Sequence, residues 1–474
     1  MRRTILLLAM LALAIPGRAV GQLATELSSR VRDRYVKVSA PAYVLRNVTL
    51  IDGTGAPARL NQSVVIEEGR ITQIGTQVAI PPDAELLNLS GHTLIPGMVG
   101  LHDHLFYMAA GGRAAQLSFS GPRLYLGAGV TTVRTTGSEA PYSELNLKAE
   151  IERGRVPGPR IHITAPYITG GQGNTTMTLL NSPEQARRFV AYWGEEGATW
   201  LKAYTNIRRA ELKAAIEEAH ARGMKVTGHI CSISFTEAVD LGIDNIEHGL
   251  LTNSDYHPDK QPDRCPRNNL AVAGNIDVSG PEVAATFRKM IDAGVAMTST
   301  LAVYELFVPN RPTKDPRALE AMSDDVREVY LADRERIDNS ANPRYTPAML
   351  QNAMAYERRF VEMGGLLAAG VDPTGNGGAL PGYGDQRNVE LLSEAGFSIE
   401  EVVRIVSLNG AEVLGVEDEL GSIEVGKIAD MVLLRGDLTQ NAAVIKNTVT
   451  VFKDGVGYDS RAMLREVRGL VGIR

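Results

Sequence analysis

Two histidines stand two residues apart in the segment GLHDHLF, as His102 and His104. In an extended chain this spacing sends both rings to the same face. Lys202 in WLKAY, His229 in VTGHI, His248 in IEHG and Asp372 in AAGVD each lie near the end of another apolar, strand-like run. Imidazoles and carboxylates are ligands for zinc and related divalent ions. On chemistry alone, His102, His104 and Asp372 can seat one metal, and His229 with His248 a second. Two dications then need a bridging anion. A lysine becomes one when carbon dioxide adds to its neutral amine, and burial near cations favours that neutral form, which gives the role to Lys202. A hydroxide shared by two metals would be the nucleophile, and Asp372 would take its proton and pass it to the leaving group.

Such a cluster requires five chain segments to end in one place. The middle of the chain offers eight strand candidates: LIPGMVGLHDH, GVTTVRTTG, RIHITAPYIT, TWLKAYT, MKVTGHI, NIEHGL, VAMTSTLAV and LLAAGVD. Helical patterns separate most of them. Between the fourth and fifth, ELKAAIEEAHARG places Leu212, Ala215, Ile216 and Ala219 on one face and reaches a natural stop at Gly223. Eight buried strands with helical crossovers close a parallel α/β barrel of the (β/α)8 TIM type, which carries its chemistry at the C-terminal strand ends. The barrel is expected over residues 96–415. Hairpin-like strands at both ends, residues 42–95 and 416–460, predict a small composite β-sandwich domain. Surplus length sits in the polar loop NSDYHPDKQPDRCPRNN after the sixth strand and in a helical stretch from Pro316 to Met363.

Other residues are candidates for secondary roles. Tyr204 shares the inward face of Lys202 and Tyr304 follows the seventh strand, so either could donate to a substrate carbonyl. Arg134 and Arg387 could clamp a substrate carboxylate through their forked guanidinium groups. The run TGGQGNTT lacks the phosphate-loop ending and reads as a mobile rim loop. Cys231 and Cys265 could pair and tie the insertion over the barrel mouth, or stay as separate thiols. His92, His162, His220 and His257 read as structural or exposed.

Composition narrows the class. The chain has 474 residues, 44% hydrophobic and 22% charged, with net charge -6. That balance has no basic footprint for nucleic acid. With two Cys it excludes a disulfide-dense scaffold and a multi-cysteine zinc ribbon. The first residues, MRRTILLLAMLALAIPGRAVGQ, have the layout of a secretory signal peptide ending at Gly21, with an apolar run of 11 residues that is too short to span a bilayer. The expected product is exported, periplasmic or secreted, with no membrane anchor after leader removal. Its expected partner is a small-molecule substrate; its oligomeric state is open.

The motifs together resemble the metal-dependent amidohydrolase superfamily. The matching marks are PGMVGLHDH, GVTTVRTTG, LK in the fourth strand, GHI, IEHG, GVD, and NGAEVLGVEDELGSIEVGKIADMVLL, spread over about Ala42 to Asp459. The resemblance implies a barrel with a composite β domain, hydrolysis at carbon–nitrogen or ester-like centres, and two divalent metal ions, zinc first among them, bridged by N6-carboxylated Lys202. The imidazolonepropionase-like and prolidase-like branch is the nearest in pattern, which implies a dipeptide or an N-acyl amino acid as substrate. Cyclic amides and lactones are the alternative substrates, and a non-catalytic binding member of the fold is the alternative class. In one-metal branches a glutamate stands three residues after the fifth-strand histidine; here that position is Ser232, which favours the two-metal form.

Overall fold

Eight short parallel strands carry the middle of the chain. They are β1 Met98–Asp103, β2 Val130–Thr135, β3 Arg160–His162, β4 Trp200–Thr205, β5 Lys225–Ile230, β6 Asn245–Glu247, β7 Ala296–Ser299 and β8 Leu367–Ala369. The structure is a computed structural model and describes residues 26–171 and 176–473. The expected leader, residues 1–21, lies outside the described residues, as does the centre of the TGGQGNTT loop, residues 172–175.

Strands β3, β2 and β1 form one parallel ladder, and β4 to β8 run in chain order through a second. The ladders meet at both edges. Thr164 bridges to Trp200 at the start of β4, and the Asp372 amide beyond β8 donates to the His102 carbonyl of β1 at 2.7 Å. Gly370 permits this second contact, since a Cβ there would lie 2.2 Å from the His102 amide nitrogen. Helices α1 Ser120–Ala128, α2 Pro141–Glu152, α3 Pro183–Glu195, α4 Arg209–Ala221, α5 Phe235–Leu241 and α6 Pro281–Asp292 fall in the intervals between strands. The result is a TIM-barrel-like α/β body. Its strands read as continuous apolar runs because both faces are covered.

The seventh candidate strand needs a correction. VAMTSTLAV is extended only to Ser299; Leu301–Glu305 is a short helix, α7. Leu301, Ala302 and Val303 are all buried, and an apolar run buried on every side looks the same in either conformation. Three further helices, α8 Pro316–Ala321, α9 Asp324–Asp338 and α10 Pro347–Glu362, fill the interval before β8, and α11 Tyr383–Glu394 follows it. No helix among the described residues is long and apolar enough to cross a membrane.

Both chain ends build a second sheet. Its strands, between Val36 and Pro96 and between Met431 and Asp459, form one continuous nine-stranded sheet rather than the two packed sheets of a sandwich. Edge-to-edge pairing between His92–Pro96 and Met431–Arg435 makes the halves one ladder. Side chains from both halves, among them Tyr43, Leu45, Ile66, Leu433 and Phe452, share one core. Two hairpins turn through Glu68-Gly69 and Asp454-Gly455 with both residues of each pair at positive φ, as two-residue type I′ turns demand. These turns touch, because a Cβ on Gly455 would stand 2.3 Å from the Gly69 Cα. Arg160 of β3 anchors the sheet to the barrel-like body through Asp430 at 2.9 Å and Asp454 at 2.6 Å.

Candidate metal centre

His102 lies in β1 and His104 one residue past its end. The Tyr125 hydroxyl of α1 brackets the His104 backbone, donating to its carbonyl at 2.9 Å and accepting from its amide at 3.1 Å. Asp372 follows β8, with its backbone held by the His102 carbonyl. His248 follows β6, and Lys202 and His229 occupy β4 and β5. Two of these residues, His248 (φ 68°) and Asp372 (φ 50°), adopt left-handed backbone that non-glycine residues rarely take. In both, the turn comes at the end of a strand, where it redirects the side chain toward the mouth.

The outer nitrogens of three rings are tied back. His102 Nδ1 donates to Glu247 Oε2 at 2.7 Å, His104 Nδ1 donates to the Gly137 carbonyl at 3.2 Å, and His248 Nδ1 meets Thr300 Oγ1 at 2.7 Å. A carboxylate and a carbonyl can only accept, so His102 and His104 each hold a proton on Nδ1, and neutral His102 turns a bare Nε2 lone pair inward. Both Nε2 atoms face the Asp372 carboxylate: His104 Nε2 is 3.3 Å from Oδ1 and His102 Nε2 is 3.7 Å from Oδ2. His248 Nε2 stands 3.9 Å from Oδ2 with no hydrogen-bond partner among the described residues. A bare imidazole lone pair facing a carboxylate is repelled unless a cation lies between them. His102, His104 and Asp372 have their ligand atoms within 4.8 Å of one another, as a shared ion requires.

The electrostatics agree with this arrangement. Burial, then the nearby Lys202 charge, pushes His229 down to about 3, and burial holds His102 and His248 well below the ordinary histidine value, so all three are neutral at pH 7. Neutral imidazole is the ligand form. Burial acts to raise Asp372, but His102, His104 and Lys202 outweigh it and keep the carboxyl far below its usual range. Burial lowers Lys202 to about 8, and its Nζ has no hydrogen-bond partner among the described residues. An amine at that value exists partly in the neutral form that adds carbon dioxide.

Tyr204 and Tyr304 line the cavity above these groups; the two arginines do not. Arg134 is fully buried beneath the site, bonded to Glu247 at 2.5 Å and Asn245 at 2.9 Å, with its guanidinium over the Trp200 ring at 4.4 Å. Arg387 on α11 makes a two-pronged contact with Glu305 at 2.7 and 2.8 Å and a third with Glu390 at 2.8 Å. Both are therefore committed to protein carboxylates, and neither is a substrate clamp. Ser232 donates to the Ile207 carbonyl at 2.5 Å, a structural use. Cys231 and Cys265 are disulfide-bonded, which ties the insertion after β6 to the end of β5, two residues from His229.

Four functional residues escape a reading of the sequence. Glu247 orients His102, Thr300 holds His248, and the Thr374 hydroxyl donates to Asp372 Oδ1 at 2.9 Å. Glu247 did leave a signal, since an acid inside a buried strand needs a cationic partner and Arg134 sits in another buried strand. Tyr345, which lines the cavity from the segment between α9 and α10, left none.

The TIM-barrel-like α/β body gathers imidazoles and a carboxylate at its C-terminal strand ends, where barrel enzymes carry their chemistry. The amidohydrolase family pattern matches residues 93–333 and 365–456, and the chain belongs to that family. An imidazolonepropionase from Symbiobacterium thermophilum is 24% identical over 425 residues, covering 82% of this chain and 88% of that protein. Among solved structures, a candidate prolidase from Bifidobacterium longum is similar at 25% identity and a TM-score of 0.65, over 90% of this chain and 98% of that one. A Xaa-Pro dipeptidase crystallised with methionine in its active site shares the fold at 20% identity and a TM-score of 0.66, over 88% of this chain and 100% of that one.

Proposed function

We propose that the protein is a metal-dependent amidohydrolase that cleaves an amide C–N bond in a small peptide-like substrate. One observation carries the reading: the Nε2 atoms of His102, His104 and His248 converge on the Asp372 carboxylate at 3.7, 3.3 and 3.9 Å, the first a bare lone pair facing an acceptor. We assign His102, His104 and Asp372 to one divalent ion, His229 and His248 to a second, and carboxylated Lys202 to the bridge. When bound, such ions polarise the scissile carbonyl and acidify water, and zinc fits imidazole and carboxylate donors.

The chain's own residues supply the rest. In the reaction water adds to the carbonyl carbon, the C–O bond forms, the C–N bond breaks, and the departing nitrogen takes up a proton. Asp372 accepts the proton of the attacking water at its carboxylate and returns it to that nitrogen. The Thr374 hydroxyl holds Oδ1 in place during the transfer. Burial raises Tyr204 to about 12 and keeps Tyr304 well above the ordinary tyrosine value, so both hydroxyls remain protonated and can donate to a substrate oxygen. Purified protein should carry about two equivalents of divalent metal by elemental analysis. Chelation should abolish amide hydrolysis and metal addition restore it, while Lys202→Ala should bind about half the metal. Full activity in verified metal-free protein would overturn the proposal.

The leader and the disulfide support export to an oxidising compartment. N-terminal sequencing of the mature protein should then read from Gln22. Closing the 34-residue separation between Cys231 and Cys265 should stabilise the fold, so Cys265→Ser should cost about 3 kcal/mol in a denaturant titration. Mature protein that retains its leader and resists denaturant equally as Cys265→Ser would defeat this reading.

A further inference from the structure

The cavity over the metal ligands measures about 340 Å³. That is the small end of the range of about 300–1,000 Å³ for ligand pockets, so it suits one small molecule and not a long peptide. Six rings make its walls. Phe106, Tyr167 and Tyr204 form one, with ring centroids 6.5 and 5.4 Å apart in succession. Tyr304, Tyr345 and Phe307 form the other, at 5.8 and 5.2 Å. Each wall starts on a metal ligand: the Phe106 ring is 4.4 Å from that of His104, and the Tyr304 ring is 5.5 Å from that of His248. A carbonyl brought to the ligands therefore places the group beside it against these rings.

The rings discriminate by shape and apolar area. A methyl group beside the carbonyl would leave most of the ring faces in water. An aromatic side chain removes its own apolar surface and theirs from water, and adds edge-to-face or offset contacts that an aliphatic chain lacks. Charge at the substrate's ends is a separate matter, met by the ions and by Arg344, which is exposed, 5.7 Å from the Tyr345 ring, and acts on both Tyr304 and Tyr345. Tyr345 is the wall residue that varies most freely, since it comes from the segment between α9 and α10, is only half-buried, and touches both Tyr304 and Phe307. We propose that the substrate carries an aromatic side chain on the residue beside the scissile amide, held against these walls, and that Tyr345 determines this preference. The proposal rests on the amide-hydrolase reading above and narrows its substrate class.

The test uses two series of amides on metal-loaded full-length protein, the N-acetyl amino acids and the amino acid amides of glycine, alanine, leucine and phenylalanine. The side chain lies on the amine side of the scissile bond in the first series and on the carbonyl side in the second. In at least one series kcat/KM for the phenylalanine compound should exceed that for alanine about 30-fold and that for leucine about fivefold. Tyr345→Ala should shrink the phenylalanine-to-alanine ratio about fivefold, and Tyr345→Phe should keep it. A binding measurement needs neither metal nor turnover: calorimetry on metal-free protein should show phenylalanine binding about tenfold tighter than alanine, with the difference reduced in Tyr345→Ala. Alanine compounds turned over as well as phenylalanine compounds in both series, a ratio unmoved by Tyr345→Ala, or equal binding of the two amino acids would each overturn the proposal and leave the amide reading standing. Hydrolysis of neither series by protein shown to hold its metal would overturn the amide reading, and this proposal with it.

Discussion

Asp372→Asn should lower kcat by about 10³-fold or more while leaving the fold intact. The substitution keeps the shape of the side chain and removes its capacity to take a proton. Asparagine also tolerates left-handed backbone better than most residues, so the φ of 50° at this position need not change. The Thr374 hydroxyl can still donate to the remaining side-chain oxygen. Loss of metal would mimic loss of the base, so kcat must be measured on protein whose metal content matches wild type. If kcat then falls by less than about tenfold, the proton is handled elsewhere and the assignment of Asp372 fails.

The second large effect concerns a residue that never touches the cavity. Glu247 is fully buried and accepts from His102, from Arg134 and from the Thr227 hydroxyl. Glu247→Gln would leave the Arg134 charge unpaired in the interior, which should cost about 3–5 kcal/mol of stability. It would also offer His102 Nδ1 a weaker acceptor, so metal affinity should fall about 10–100-fold. Burial acts to raise the Glu247 carboxyl, but Lys202 and Arg134 outweigh it and hold the pKa below the unfolded value. The contribution of the pair is therefore complete above about pH 4.3 and is lost as pH falls through the folded pKa. Adding Arg134→Met to Glu247→Gln should restore much of the stability without restoring metal affinity. That split separates the two roles of Glu247 in one cycle. Stability of Glu247→Gln within about 1 kcal/mol of wild type would contradict the account.

Much of this arrangement is visible in the order of residues. The HDH pair, the lone lysine and histidines on apolar runs, and GVD can be located from type and spacing, because strand periodicity and metal-ligand chemistry are both local. Eight strand candidates have strand cores in the structure, since a buried parallel strand is a short apolar run between turn signals. The seventh was over-extended because burial on all sides hides the period. The small domain was expected as a sandwich and is one sheet, since hydrogen-bonded continuity between His92–Pro96 and Met431–Arg435 involves segments more than 300 residues apart.

The arginines show most clearly where local reading stops. Arg134 and Arg387 have the chemistry of carboxylate clamps, and nothing in their neighbours distinguishes a substrate carboxylate from Glu247 or Glu305. Residue type and periodicity identify which groups can bind a metal and which strand ends present them. Three further features exist only once distant segments meet: the partners that turn three of the imidazoles, the sealing of both arginines, and the aromatic walls of the cavity. The physical reason is that a side chain's type determines which bonds it can make, whereas long-range packing determines which partner reaches it first.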